Sequence, residues 1–169
     1  QFGFLTRRST CTQLLLTLNN WTLNVDNGMK VDVVYTDIAK AFDSVSHSKL
    51  LLKVEAYGFK SNLLQWIRAF LNDRTQCVYV GLDVSSPKAI TSGVPQGSVL
   101  GPLLFLIYVN DLPDHIQSPA GIKIFADDTK LYLGYTDHQN APLIQSLYQF
   151  CSWSHTWQLS VAYTKCSVI

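Results

Sequence analysis

Alternating apolar and polar residues mark the strands of this chain. Residues 31–37 are dominated by β-branched and aromatic side chains, which predicts a buried strand. Residues 121–133 alternate on both sides of an adjacent pair of aspartates, which predicts two short strands joined by a tight turn. Residues 75–80 also alternate, and we expect them to pair with residues 88–91.

Apolar residues at helical spacing predict four further segments. These helices begin near Thr10, Leu50, Leu63 and Ile144. Thr10 and Gln13 have the spacing of a capping box at the start of the first helix. Two apolar stripes are apparent: Leu14, Leu18, Trp21 and Val25 in the first helix, and Ile144, Leu147, Tyr148 and Cys151 in the last. We expect the helices to pack on one face of a small antiparallel sheet and to leave the aspartate face open, with the stripe of the last helix buried.

Composition limits the classes of protein to which the chain can belong. Its 169 residues are the length of one domain, and 47% apolar residues are enough for a core. The net charge of +1 means that any nucleic-acid-binding surface is local. The four cysteines have no C-x-x-C spacing and no secretory signal is apparent, so we expect free thiols in a reducing, intracellular compartment. The apolar run at 103–109 is too short to span a membrane.

Asp127 and Asp128 are the first candidate for chemistry. Adjacent carboxylates at a turn repel each other unless a positive charge lies nearby. One interpretation is an exposed turn whose side chains cap backbone N–H groups. The other is a site that holds a divalent cation against a phosphate, which requires a further carboxylate because Mg²⁺ prefers oxygen ligands in octahedral geometry.

Asp37 is the candidate for that further carboxylate. It closes the predicted strand at 31–37, and functional groups concentrate where strands give way to loops. It lies 90 residues before Asp127, so only pairing between neighbouring strands brings the two together. The alternative is that Asp37 caps the following turn. The same alternative suits Asp43 better, since Asp43 precedes the serines at the predicted start of the next helix.

A glycine- and proline-rich loop at 92–102 is the third candidate. Three glycines and two prolines in eleven residues make the chain bend sharply and leave its backbone accessible. The apolar helix that follows directs its N-terminus towards the loop, where an anion is favoured. An ordinary loop is the alternative, but the buried segment at 103–109 favours a rigid platform for a ligand.

Three segments, in this order, resemble motifs A, B and C of reverse transcriptases. They are Thr36-Asp37-Ile38-Ala39-Lys40-Ala41-Phe42-Asp43, then Ser92-Gly93-Val94-Pro95-Gln96-Gly97-Ser98-Val99-Leu100-Gly101-Pro102, and Phe125-Ala126-Asp127-Asp128. Gln1-Phe2-Gly3-Phe4 with Arg8-Ser9-Thr10 resembles the segment that precedes motif A. The version of the motifs, together with Leu106-Ile107-Tyr108-Val109-Asn110-Asp111-Leu112-Pro113, is that of non-LTR (LINE-type) retrotransposons, especially the Jockey-like branch.

This resemblance implies an α+β fold, the palm of a right-hand polymerase with part of the fingers. The strands of motifs A and C then lie side by side in a small antiparallel sheet packed on helices on one face. Residues 1–169 are expected to form one such segment, incomplete at both ends and without N-terminal fingers, thumb or endonuclease. The implied activity is RNA-directed DNA polymerisation by two-metal nucleotidyl transfer, with an RNA template, a DNA primer and dNTPs as partners, in the nucleus or cytoplasm.

The resemblance also implies the roles of individual residues. Asp37, Asp127 and Asp128 are the catalytic carboxylates and, with the Ile38 carbonyl, the ligands of two Mg²⁺ ions, for which Mn²⁺ is a possible substitute. The dNTP-binding residues are Ile38, Phe42, Gln96, Gly97 and Lys165, and the nucleic-acid-binding residues are Arg7, Arg8, Gly93 and Pro95. Phe42 is expected to exclude a 2′-hydroxyl. Before Lys165 this chain has Ala162-Tyr163 where the family usually has Asn-Pro, which changes the loop that carries the lysine.

Two alternative assignments stay open at this point. A group II intron or retron-type reverse transcriptase also has an Ala-Asp-Asp motif, although residues 92–113 fit the retrotransposon branch better. The other alternative is a catalytically inactive remnant of a palm domain. Primer extension with Mg²⁺ separates an enzyme from a remnant.

Overall fold

The computed structural model describes residues 1–116, 119–136 and 140–169. Two compact units make up the chain. Gln1–Ala41 and Val109–Ile169 form the first, which we call the sheet unit, and Phe42–Tyr108 form the second, the central unit. No helix in the described ranges is both long enough and apolar enough to cross a membrane.

Helices and short strands alternate along the described chain. The helices are α1 (Thr10–Asp26), α2 (His47–Ala56), α3 (Ser61–Leu71), α4 (Leu100–Val109), α5 (Leu112–His115) and α6 (Ala141–Thr156), with a 3₁₀ turn at Tyr163–Lys165. The strands are β1 (Lys30–Thr36), β2 (Thr75–Gln76), β3 (Tyr79–Val80), β4 (Asp83–Val84), β5 (Lys88–Ala89), β6 (Gly121–Phe125), β7 (Asp128–Tyr135) and β8 (Ser167–Val168). The chain is therefore α+β, as predicted.

A four-stranded antiparallel sheet is the centre of the sheet unit. Its order is β6-β7-β1-β8, so β1 and β7, 92 residues apart at Thr36 and Asp128, are neighbours. They pair along their whole length, from Lys30 opposite Tyr135 to Thr36 opposite Thr129. The predicted antiparallel pairing of these two strands is confirmed, and so is the predicted tight turn between β6 and β7.

Both faces of β7 are covered. Tyr132 and Gly134 point towards α1: the Tyr132 hydroxyl accepts a 3.0 Å hydrogen bond from Asn20, and a side chain at Gly134 would collide with Asn24. Leu131 points to the opposite face, since neighbouring side chains in a strand alternate, and it is fully buried. The helix α1 therefore lies on the face of the sheet that carries the even-numbered residues of β7, which include Asp128. The prediction that the helices leave the aspartate face open was wrong.

The apolar stripes of α1 and α6 are not the faces that the fold buries. In α6 the prediction was wrong, because Ile144 is 47% and Tyr148 74% exposed. The buried residues of this helix are Leu143, Ser146, Phe150, Trp153 and Ser154. In α1 the buried residues are Gln13 and Thr17, whereas Leu14, Leu18 and Val25 are about half exposed. The N-cap of α1 is Ser9, in a capping box with Thr12, and not Thr10.

The buried face of α6 is fixed by the segment after α4. The Trp153 indole Nε1 donates a 3.1 Å hydrogen bond to the Asp111 carboxylate, and the Trp153 ring stacks near Phe150. Burial of these two large aromatic rings removes more apolar area from water than burial of Ile144 and Tyr148 would. Asp111 belongs to residues 106–113, the segment that resembles the retrotransposon branch, and in the fold it accepts the hydrogen bond of a buried tryptophan.

The central unit contains α2, α3, most of α4 and two small hairpins. The predicted pairing of residues 75–80 with 88–91 holds only for β2 with β5. Beyond it the chain makes a separate hairpin, β3 with β4, because Gly81 has a φ of 62° and allows a tight turn there. In the core of this unit the Phe42 ring stacks on Phe105, with 4.1 Å between ring centroids.

Candidate active site

The turn between β6 and β7 consists of Ala126 and Asp127. Phe125 pairs with Asp128 on either side of it. Ala126 has a φ of 54°, the left-handed region that residues with a side chain rarely occupy. This turn places Asp127 at its tip and Asp128 at the start of β7.

Asp37 meets this turn through the register of β1 and β7. The last pair of that ladder is Thr36 with Thr129, and the next position of the same register sets Asp37 opposite Asp128. Residues opposite each other in an antiparallel pair point to the same face of the sheet. The carboxylates of Asp37 and Asp128 therefore share a face, the face on which α1 lies.

The segment before β8 runs beside Asp37 and carries Lys165. The Asp37 carbonyl accepts a 2.9 Å hydrogen bond from the Ala162 N–H, and Ile38 forms an antiparallel bridge with Val161. The Lys165 ammonium lies 3.5 Å from an oxygen of the Asp37 carboxylate. Since the Lys165 side chain is 66% exposed, this ion pair contributes little to stability. Ala162-Tyr163 thus leads into a 3₁₀ turn that brings the lysine to the aspartate.

Asp128 lies in the electric field of two neighbouring carboxylates, Asp127 and Asp37. Partial burial raises the pKa of Asp128 above its ordinary value, and the negative charges of Asp127 and Asp37 raise this pKa further. Lys130 and Lys165 oppose the shift without cancelling it. Asp127 and Asp37 therefore repel the Asp128 carboxylate, and a bound cation would relieve that repulsion.

A cavity of about 340 Å³ lies along this part of the sheet unit. Asp37, Asp128 and Lys165 are among its lining residues, and α1 contributes Gln13 and Thr10 on the other side. Its lining therefore combines two carboxylates with two lysines, Lys130 and Lys165.

The donor set fits a hard divalent cation only in part. In the described portion of the chain, no three side chains among His, Cys, Asp and Glu are arranged as a metal cluster. Mg²⁺ does not need such a cluster in polymerase sites, because it binds one or two carboxylates and completes its shell with water and substrate phosphates. Asp37, Asp127 and Asp128 are suitable for that mode.

The predicted dNTP-binding residues of the central unit share a smaller pocket. Phe42, Gln96 and Gly97 line a volume of about 210 Å³ together with other residues of the loop at 92–102. The Gln96 amide donates a 2.6 Å hydrogen bond to the Asp43 carboxylate. Sequence reasoning missed this role of Asp43, which it interpreted as a helix cap; the N-cap of α2 is Ser46.

The loop at 92–97 is held against the backbone of Asp43. Gly93 has a φ of 90°, and a Cβ atom at this position would lie 2.9 Å from both the Cα and the carbonyl oxygen of Asp43. The Gly93 N–H donates to the Val45 carbonyl, and its own carbonyl lies 2.8 Å from His47 Nε2. Gly93 is therefore required for close backbone packing, in addition to its predicted contact with nucleic acid.

The two arginines before α1 have different surroundings. Arg7 is exposed and has a φ of 62°. The Arg8 guanidinium lies over the ring of Phe2, 4.7 Å from its centroid. A contact of Arg8 with a phosphate backbone stays a prediction, as does that of Arg7.

Two strands that bring one aspartate beside an adjacent aspartate pair, in a small antiparallel sheet, define the palm of a nucleic-acid polymerase. Solved structures support this fold. The telomerase from Candida albicans, determined with a fragment of telomeric RNA, aligns with a TM-score of 0.71 over 95% of this chain and 31% of that one, at 15% identity. The apo telomerase of Candida tropicalis aligns with a TM-score of 0.66 at 16% identity.

The sequence profile of the family described as reverse transcriptase (RNA-dependent DNA polymerase) matches residues 1–169, and the chain belongs to this family. The RNA-directed DNA polymerase from the mobile element jockey of Drosophila melanogaster is 33% identical over 99% of this chain. The probable RNA-directed DNA polymerase from transposon X-element of the same species is 31% identical over 98%. The chain spans 19% of the length of each of these relatives. The predicted resemblance to the Jockey-like branch is confirmed.

Proposed function

We propose that this chain supplies the catalytic carboxylates of an RNA-directed DNA polymerase, which joins a dNTP to the 3′-hydroxyl of a DNA primer on an RNA template. The observation that supports this most directly is the β1–β7 register, which ends at Thr36 opposite Thr129, so that the next residue of each segment, Asp37 and Asp128, lines the same cavity. Because the chain spans about a fifth of its relatives, the activity is proposed for the full-length protein.

Asp37 and Asp127, with Asp128 and the Ile38 carbonyl, are the proposed ligands of two Mg²⁺ ions; Mn²⁺ is a possible substitute. When bound, such ions lower the pKa of the attacking hydroxyl and neutralise charge on the transferred and leaving phosphates. Partial burial raises the pKa of Asp128 and the negative charges of Asp127 and Asp37 raise it further, and a cation bound beside Asp128 would offset these effects, which supports the assignment. Burial and like charge at one site are also typical of functional carboxylates.

Lys165 is the proposed contact for the phosphates of the dNTP. Its ammonium lies 3.5 Å from the Asp37 carboxylate. A metal at Asp37 would weaken that contact and leave the exposed lysine able to bind an anion. The lysine then acts by holding negative charge in place, since phosphoryl transfer depends mainly on positioning and charge stabilisation.

Phe42 and Gln96 are proposed to select the sugar of the nucleotide. Two contacts within the central unit hold them: Phe42 stacks on Phe105, and Gln96 donates to Asp43. A side chain fixed in this way loses little freedom when a substrate binds, which is what selection by steric exclusion requires. Gly97 would contribute backbone to the same surface.

Primer extension by the full-length protein tests the proposal. With an RNA template, a DNA primer, dNTPs and Mg²⁺, the parent protein should extend the primer, and Asp127→Asn should abolish extension while primer–template binding is largely retained. Asp114→Asn is a matched control, because Asp114 is an exposed aspartate in α5, and this variant should extend like the parent.

Two results would contradict the proposal. If Asp127→Asn extends the primer as fast as the parent, then Asp127 is not a catalytic carboxylate. If the folded parent protein binds the primer–template but does not extend it with Mg²⁺ or Mn²⁺, then this copy is an inactive remnant of the family.

A further inference from the structure

The side chain of Gln1 contacts the turn that carries Asp127. Its Oε1 atom accepts a 3.0 Å hydrogen bond from the Ala126 N–H, and its Nε2 atom lies 3.3 Å from the Ala126 carbonyl, to which it donates. One amide group thus satisfies both backbone polar groups of Ala126, a residue 125 positions away in sequence.

Gly3 brings the Gln1 segment close enough for this contact. A Cβ atom on Gly3 would lie 2.5 Å from the backbone nitrogen of Ala126, so an alanine at this position would displace one of the two segments. The Gln1 Oε1 atom also accepts from the N–H groups of Phe2 and Gly3, at 2.8 Å each. Both polar atoms of the Gln1 side chain, Oε1 and Nε2, therefore have hydrogen-bond partners that fix its position.

The contact continues along the outer edge of β6, the edge strand of the sheet. The Phe2 N–H donates a 2.9 Å hydrogen bond to the Ile124 carbonyl. The Phe2 ring is 6% exposed and lies under the Arg8 guanidinium. The Phe2 N–H thus attaches residues 1–3 to β6, and the Gln1 amide attaches them to Ala126, the residue before Asp127.

Ala126 needs such support because of its backbone conformation. A φ of 54° is unfavourable for alanine, and residues in sparsely populated conformations persist only when their surroundings hold them. Ala126 is also 8% exposed, so an unpaired N–H or carbonyl there would be removed from water without a partner. The amide of Gln1 provides that partner on both sides.

We propose that Gln1 and Gly3 are positioning residues that hold the Ala126–Asp127 turn, and through it the Asp127 carboxylate, in the geometry of the polymerase reaction. The expected effect on catalysis rests on the proposed function, whereas the hold of Gln1 on the turn does not. The contact itself is a property of the fold and can be measured without activity.

The test compares Gln1→Met with Gln145→Met in the full-length protein. Methionine has the length of glutamine but neither donates nor accepts a strong hydrogen bond, and Gln145 is exposed on α6. Gln1→Met should speed amide hydrogen exchange at residues 124–128 by about tenfold, the effect of losing one or two hydrogen bonds. It should slow single-turnover extension by about 10- to 100-fold, the effect of a displacement of about 1 Å at a reacting group, with primer–template affinity unchanged.

Gln1→Glu and Gly3→Ala provide further readouts. An ionised glutamate still accepts from the Ala126 N–H but cannot donate to the Ala126 carbonyl. Compared with Gln1→Met, Gln1→Glu should therefore keep part of the exchange protection and part of the extension rate. Gly3→Ala should reproduce the effect of Gln1→Met by collision with Ala126 while the amide is intact. Gln145→Met should match the parent in both measurements.

Each outcome is decisive for one of the two proposals. Unchanged exchange at residues 124–128 in Gln1→Met overturns the Gln1 contact, whatever the activity. Faster exchange with an unchanged extension rate in an active parent overturns the positioning role. An inactive parent contradicts the proposed function and the catalytic consequence drawn from it, while the exchange measurement still decides whether Gln1 holds the turn.

Discussion

Two glycines of the loop at 92–97 allow a matched test of close backbone packing. Both have positive φ, 90° at Gly93 and 80° at Gly97, but only Gly93 lies against other atoms, since a Cβ atom added there would lie 2.9 Å from the Asp43 carbonyl oxygen. Alanine in the left-handed region costs about 1–2 kcal/mol. Forcing an extra methyl group into a packed site costs about 1–3 kcal/mol more. Gly93→Ala should therefore lower the free energy of unfolding by about 2–5 kcal/mol, and Gly97→Ala by about 1–2 kcal/mol.

Urea unfolding of the protein containing this chain measures the two losses. Gly97→Ala is the control for the conformational cost, so the difference between the variants reports the collision with Asp43 alone. Because Asp43 also accepts the hydrogen bond from Gln96, Gly93→Ala should loosen Gln96 as well, seen as faster exchange of amides around residue 96. Equal losses for the two variants would refute the reasoning, since they would mean that the segment carrying Asp43 moves away without cost.

Two further predictions concern the two units separately. Phe42→Ala removes the ring that is stacked on Phe105 and proposed to exclude a 2′-hydroxyl, so the variant should incorporate ribonucleotides in primer extension while largely keeping dNTP incorporation. If it discriminates as sharply as the parent, Phe42 is a core residue only. Asp111→Leu removes the acceptor of the buried Trp153 Nε1 and should lower the free energy of unfolding by about 1–3 kcal/mol, whereas Asp111→Asn keeps an acceptor and should cost less. Equal losses for the two Asp111 variants in urea unfolding would contradict that role of the hydrogen bond.

Sequence reasoning recovered the parts of the fold that depend on local pattern. The strand predicted at 31–37 is β1, Lys30–Thr36, and the two strands predicted around the aspartate pair are β6 and β7. The first was predicted from its β-branched and aromatic residues, and the other two from period-two alternation, because successive side chains of a strand point to opposite faces of the sheet. That β1 and β7 are neighbours follows from no local pattern; the resemblance to reverse transcriptases supplied it.

Helix faces were harder to predict, because more than one stripe of α6 has helical spacing. Ile144 and Tyr148 form one such stripe, and Phe150 and Trp153 belong to another. Only the tertiary contact of Trp153 with Asp111 decides which stripe is buried. In α1 the buried face is polar, since Thr17 bonds to the Gln13 carbonyl of its own helix and Asn20 to Tyr132. A search for apolar periodicity does not find a face of this kind.

The contacts that shape the candidate site were also hidden from the sequence. The hydrogen bond from Gln96 to Asp43 joins residues 53 positions apart, and that from Gln1 to Ala126 joins residues 125 apart. Neither has a spacing rule, because such contacts form only after the strands have paired. Asp43 was therefore interpreted as a helix cap, the local role that its neighbours favour.

The segments that carry the three carboxylates are held in place by hydrogen bonds to their main chain, and the charges of the carboxylates account for this. Partial burial raises the pKa of Asp128 and the charges of Asp127 and Asp37 raise it further, so these carboxylates repel Asp128 and contribute no attraction of their own. The chain around them is fixed instead through main-chain groups: the Asp37 carbonyl by the Ala162 N–H, and Ala126 by the Gln1 amide. Contacts of this kind leave the carboxylate oxygens available to a cation, whereas a side-chain donor on each carboxylate would compete with it. Lys165 does contact a carboxylate directly, but its exposed ion pair with Asp37 is weak enough for a cation to displace.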